Sequence, residues 1–186
     1  MRRSRLRAGT IVLGVAVIGS GLFGGVSAWG SSTPKGGTIY VSATPKNGAT
    51  DPIVIVGAIG DYGTATTIDQ NGKVDSNGDY VKIVLKHGGF EINTKTLKKK
   101  ANSALPTVND TTTCSFSFAA SGPVTLFNGS GLYKGISGTV EITESFDAIL
   151  PRFATGKHKG QCNESNSASP VASVGSISGS GKVSFS

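Results

Sequence analysis

Glu144 is the residue of this 186-residue chain whose setting most invites chemistry. In the alternating run Thr139–Leu150 the even positions are Val140, Ile142, Glu144, Phe146 and Ala148. The odd positions are Thr139, Glu141, Thr143, Ser145 and Asp147. A regular strand sends alternate side chains to opposite faces, so Glu144 falls on the otherwise apolar side. A carboxylate there must be paired, hydrated or protonated. The sharp expectation is that Glu144 faces an interior cavity polar enough for a ligand. The plain one is a bulge, or a place near the wet end of the strand. Arg152, in Leu150-Pro151-Arg152-Phe153, carries a guanidinium suited to two-point recognition of a carboxylate or phosphate. A salt bridge, with Glu144 or Asp147 as partner, is its plain reading, and contact with an anionic ligand the sharp one. His87 is in phase with Val81, Ile83 and Leu85 and precedes Gly88-Gly89, which predicts a partly buried histidine at a strand end. It is the third candidate for ligand contact.

Other constellations are missing from the pattern. His87 and His158 have no metal-ligand spacing, and two cysteines with two scattered histidines do not make up a metal site. Asp75, Asn77 and Asp79 alternate around Gly78, but a calcium loop counted from Asp75 wants Gly at position six and Glu at twelve. Tyr80 and Lys86 stand there, so a hairpin turn is the better reading. No phosphate loop or nucleophile elbow occurs, so no catalytic residue and no cofactor is assigned. Cys114 and Cys162 read as one disulfide, provided the chain works in an oxidising compartment; two free thiols are the alternative. The formal charge of +7 overstates the basicity of the body, because every arginine except Arg152 lies within the first seven residues. That argues against nucleic acid as a partner.

The elements that must carry these residues are strands. After residue 37 the chain is rich in Thr, Ser, Gly and Val, with short alternating runs and frequent turn pairs. Strands are predicted at Thr38–Ala43, Ile53–Ile59, Tyr62–Ile68 and Tyr80–His87, the last extended or followed by Phe90–Ile92. Ile53–Val56 is apolar without a break, consistent with burial on both sides or a bend at Gly57. Asn71-Gly72 and Asn77-Gly78 mark hairpin turns. One short helix follows, capped by Asn93, with Ile92 packing on Leu97 and Lys98–Lys100 as a solvated last turn. Beyond it come a strand with Cys114, Phe116, Phe118 and Ala120 on one face, then Val124–Phe127 after a break at Pro123. A turn at Asn128–Gly131 and the stretch Leu132–Ile136 lead into Thr139–Leu150. The last strand, within Val171–Phe185, aligns Ile177, Gly179, Gly181, Val183 and Phe185. Glycines inside strands suit sharp curvature, and closure removes exposed edges. The expectation is an all-β domain over 38–186: a small antiparallel β-barrel of about eight strands with one short helix, or alternatively a β-sandwich.

The address is written at the start. Arg2, Arg3, Arg5 and Arg7 precede an uncharged stretch from Ala8 to Val26, and Val26-Ser27-Ala28 supplies small residues for a signal peptidase. A secretory signal over 1–28, cleaved between Ala28 and Trp29, is expected, with an uncleaved anchor as the alternative. Residues 29–37 read as a flexible lead-in. The protein is then secreted or held on the outer side of the cell envelope, and touches membrane only through that leader.

The segment Gly129-Ser130-Gly131-Leu132-Tyr133-Lys134-Gly135-Ile136-Ser137-Gly138 resembles the Gly-x-Gly-x-aromatic-x-Gly-x-x-Gly segment of allene oxide cyclase and dirigent-type β-barrels. The stretch Gly57–Gly63 is similar to one in uncharacterised secreted actinobacterial proteins. The first resemblance implies an eight-stranded barrel whose cavity takes small apolar or phenolic molecules, and an isomerase or cyclase as one activity. No catalytic residue of those families has a counterpart at a matching position. The reading that follows is a monomeric exported barrel, more a binder than an enzyme, for a small apolar molecule or a cell-envelope component. A structural surface protein without a ligand is the third reading.

Overall fold

In the computed structural model, residues 34–46, 50–104, 110–165 and 167–186 are described. The leader and its Ala28–Trp29 junction lie outside them. The described chain forms β1 (Gly37–Ala43), β2 (Thr50–Gly57), β3 (Asp61–Ile68), β4 (Tyr80–Leu85) and β5 (Gly88–Asn93). Helix α1 (Lys95–Ser103), β6 (Ser115–Gly131), β7 (Ile136–Ile149) and β8 (Ala172–Phe185) follow. Each strand pairs antiparallel with the next, and β8 pairs back onto β1 from Gly37↔Val183 to Ala43↔Ile177. The ring is closed, so the sandwich alternative falls.

Alternation builds the core. Ile39, Val41 and Ala43 of β1, Ile53 and Ile55 of β2, and Ile83 and Leu85 of β4 point inward and are buried. The apolar run in β2 is buried on one side only: Val54 and Val56 face outward and are half exposed. They join Tyr40, Tyr62 and Val84 in an apolar band across the outside of β1–β4. The outside of β6–β8 is instead a hydroxyl surface, with Ser121–Thr143, Ser145–Ser176 and Ser137–Ser184 contacts at 2.7, 2.9 and 3.0 Å. On β8 the inward positions include Gly179 and Gly181. A Cβ on Gly181 would lie 2.6 Å from Val140 Cα and closer still to the Thr139 carbonyl, so only a bare backbone fits so near the neighbouring strand.

Five expectations about the elements change. β4 stops at Leu85, and Lys86-His87 form the two-residue turn to β5, so His87 does not continue the strand. β6 is one strand rather than two. Pro123 is tolerated because β5 joins β6 only from Thr125 onward, leaving one flank of the proline without a ladder. Asn128–Gly131 is not the turn. Asn128 takes φ 53° and the β5–β6 register shifts between Gly89 and Glu91, a bulge that carries the strand on to Gly131. The turn falls at residues 132–135. Helix α1 runs to Ser103, which leaves only Lys100 of the lysine run in the last turn. Its N-cap is Thr94, without a side-chain cap. Asn93 Oδ1 accepts the Lys95 N–H at 3.0 Å instead.

The connections divide between two ends of the barrel. The β2–β3, β4–β5 and β6–β7 turns lie at one end. The β1–β2, β3–β4 and β7–β8 loops lie at the other, with α1. Helix α1 packs there on β6, with Leu97 buried over Gly122. Cys114 and Cys162 are joined, tying the residue before β6 to the β7–β8 loop at the helix end.

Candidate functional site

The barrel encloses a cavity of about 510 Å³. Its walls are aliphatic, with Ile39, Val41, Ile55, Ile83, Val124 and Val140 among them, and Phe90 contributes from β5. Polar groups border it toward the helix end, where Thr67, Asn77, Thr94, Asn102 and Lys98 meet the aliphatic part. The exposed side chains of Pro45, Ser76 and Asn77 bring it to the surface there.

Glu144 lines this cavity. It belongs to a cross-strand row, Ala120–Glu144–Ile177–Ala43–Ile53, formed by the last inward residues of β1 and their partners. The next inward residues along β7, Ile142 and Val140, are fully buried. Glu144 therefore stands where the aliphatic interior gives way to the polar rim. It is half-buried, and burial pushes its carboxyl above the ordinary value. Among the described residues no hydrogen bond or ion pair reaches it. Lys98, the cation on the same rim, is already engaged. Its Nζ lies 3.1 Å from Asp79 Oδ1 and 3.3 Å from the Gly78 carbonyl, and it also donates to the Asn77 carbonyl. Asp51, the second carboxylate of the lining, accepts the Lys46 N–H at 2.8 Å. Asp75, read as part of a turn, accepts the Asn77 N–H at 2.8 Å.

Arg152 and His87 are not brought to Glu144. Arg152 Nη1 donates to the Gly160 carbonyl at 2.7 Å and Nη2 donates to the Thr112 carbonyl. Neither Glu144 nor Asp147 pairs with it, because the backbone carbonyls of two loops already hold the guanidinium. Thr112 and Gly160 each lie two residues before a cysteine of the disulfide, so Arg152 and the sulfur bridge tie the same two segments. His87 lies at the opposite end of the barrel, in the β4–β5 turn.

There His87 takes part in a cluster that the sequence pattern did not single out. Asp61, only 5% exposed, is the acceptor at its centre. The Tyr133 hydroxyl donates to Asp61 Oδ2 at 2.6 Å, and the backbone N–H groups of Tyr62 and His87 donate at 2.8 and 3.0 Å. The His87 ring Nδ1 lies 3.1 Å from Oδ2. Burial alone would raise the Asp61 carboxyl, but the hydrogen bonds, led by Tyr133, outweigh it and hold the group below its ordinary value. Burial, with Asp61 beside it, raises the Tyr133 phenol. Tyr133 also meets Phe90 edge-on at 6.1 Å, which links the cluster to the cavity wall. The one signal for this cluster was indirect: Asp61 and Tyr133 sit in the two segments, Gly57–Gly63 and Gly129–Gly138, whose resemblances stood out. Its groups are hydrogen-bonded to one another at the end of the barrel opposite α1.

No family model matches the chain, and no curated protein or solved structure matches it.

Proposed function

We propose that this protein binds a small, largely apolar molecule inside the barrel and performs no chemistry on it. The observation that supports this is the cavity of about 510 Å³ with aliphatic walls and polar groups kept to its rim. Ligand pockets fall in the range of roughly 300–1,000 Å³ and share that division of labour. The test is uptake of the neutral dye N-phenyl-1-naphthylamine, which brightens on leaving water. The wild-type protein should take it up saturably at one per chain. Ala65→Phe, which fills the cavity from β3, should abolish uptake with the far-UV circular dichroism unchanged. No uptake by the wild type, or equal uptake by the variant, defeats the reading. Native mass spectrometry of protein purified from its own host would then identify what it carries.

Two other readings have an observation each. The resemblance to allene oxide cyclase and dirigent-type barrels implies an isomerase or cyclase, and a closed eight-stranded ring around a cavity suits it. Such an enzyme needs polar groups converging on the substrate, and Glu144 is the group best placed to begin such a set. Docking on a cell-envelope component would use the outer band of Tyr40, Val54, Val56, Tyr62 and Val84.

A further inference from the structure

We infer that the occupant of the cavity is a cationic amphiphile, an aliphatic chain ending in an ammonium group, with its chain among Val41, Ile55 and Val140 and its head beside Glu144. This rests on the binding function proposed above and narrows it to a class of ligand.

The order of side chains along β7 gives the orientation. Val140 and Ile142 are buried in the aliphatic interior, and Glu144, two positions on, ends that stretch at the rim. A chain with one polar end fits that gradient with its apolar part innermost. The sign of the head follows from the charges on the lining. Glu144 and Asp51 are the carboxylates there, and Lys98 is the cation. Lys98 is held by Asp79 and by two backbone carbonyls, so its charge is already answered. Asp51 accepts one backbone N–H, from Lys46. Glu144 has no partner among the described residues. A partly desolvated carboxylate gains from an opposite charge within hydrogen-bond reach, because the surroundings screen that pair less than water does. An anionic head would meet Glu144 and Asp51 with no free cation among the described lining residues. An ammonium also brings three donors and no acceptor, matching an acceptor-only carboxylate.

The experiment is competition against N-phenyl-1-naphthylamine at pH 7 with three probes of one chain length: decylammonium, decanol and decanoate, each below its aggregation limit. Decylammonium should displace the dye at a concentration at least about tenfold lower than decanoate does, with decanol between them. Glu144→Gln should still take up the dye, which reports an intact cavity, and should lose most of the preference for the amine. Equal displacement by the three probes, a preference for decanoate, or an undiminished amine preference in Glu144→Gln overturns the inference while leaving apolar binding standing. A wild-type protein that takes up no dye overturns both.

Discussion

Asp61 and Glu144 are both carboxylates withdrawn from water, and their surroundings drive them in opposite directions. The Tyr133, His87 and Tyr62 donors hold Asp61 below the ordinary value. Its contribution to stability is thus present above the unfolded-state value and fades as pH falls through the lower, folded value. Asp61→Ala strands a buried hydroxyl and two backbone N–H groups, and should cost about 3 kcal/mol near neutral pH by urea denaturation. The difference from wild type should shrink on acidification. Glu144 is raised by burial, so the folded state favours its protonated form. Its favourable contribution is full below the unfolded-state value and is lost as pH rises through the higher, folded one. Glu144→Gln should therefore melt at a higher temperature than wild type at pH 7 and at nearly the same temperature at pH 4. An equal difference at both would contradict the burial argument. The side of the strand on which Glu144 lies was legible from alternation alone. Asp61 was not, because it is the first residue of β3 and the alternating pattern becomes visible only from Tyr62. His87 was misplaced because a two-residue turn leaves the alternation of its strand outwardly unbroken.

At the level of elements, the sequence marks which segments are strands better than where they end. Alternation in β1, β4 and β7 reports which side faces the core, although Tyr40 of β1 and Val84 of β4 leave apolar groups on the outside. Proline and glycine in β6 misled for a physical reason. They forbid a ladder only where a neighbour demands one, and whether β5 reaches Pro123 is a fact of the whole sheet. The inward glycines of β8 carry a firmer message. Gly181→Ala would drive its Cβ into Val140 and the Thr139 carbonyl, and should destabilise by about 2 kcal/mol in chemical denaturation. Gly60→Ala, with nothing within 4 Å of its added carbon, is the control and should stay within about 0.5 kcal/mol of wild type.

For the molecule as a whole, closure of the ring was legible as a preference, since the composition suited curvature, but the β8–β1 pairing that completes it joins residues far apart in sequence. The disulfide was legible as a pair of cysteines. It joins positions 48 residues apart, and replacing both with serine should lower stability by about 4 kcal/mol on the chain-entropy account, measured in denaturant without reductant. The cavity was legible only as a property of small barrels. Its size depends on how inward side chains from eight strands add up, and no single stretch of sequence holds that sum.

Where neighbouring strands are bonded on both sides, the wall cannot part to admit a guest without tearing a ladder. On the proposed binding role, a guest enters at the helix end, where Pro45, Ser76 and Asn77 bring the cavity to the surface and the Lys98–Asp79 pair stands on the rim. Lys98→Met should speed both entry and exit of a neutral dye in stopped-flow mixing and leave the equilibrium affinity nearly unchanged. In that case residence time and tightness are governed by different residues, one set at the rim and the other within.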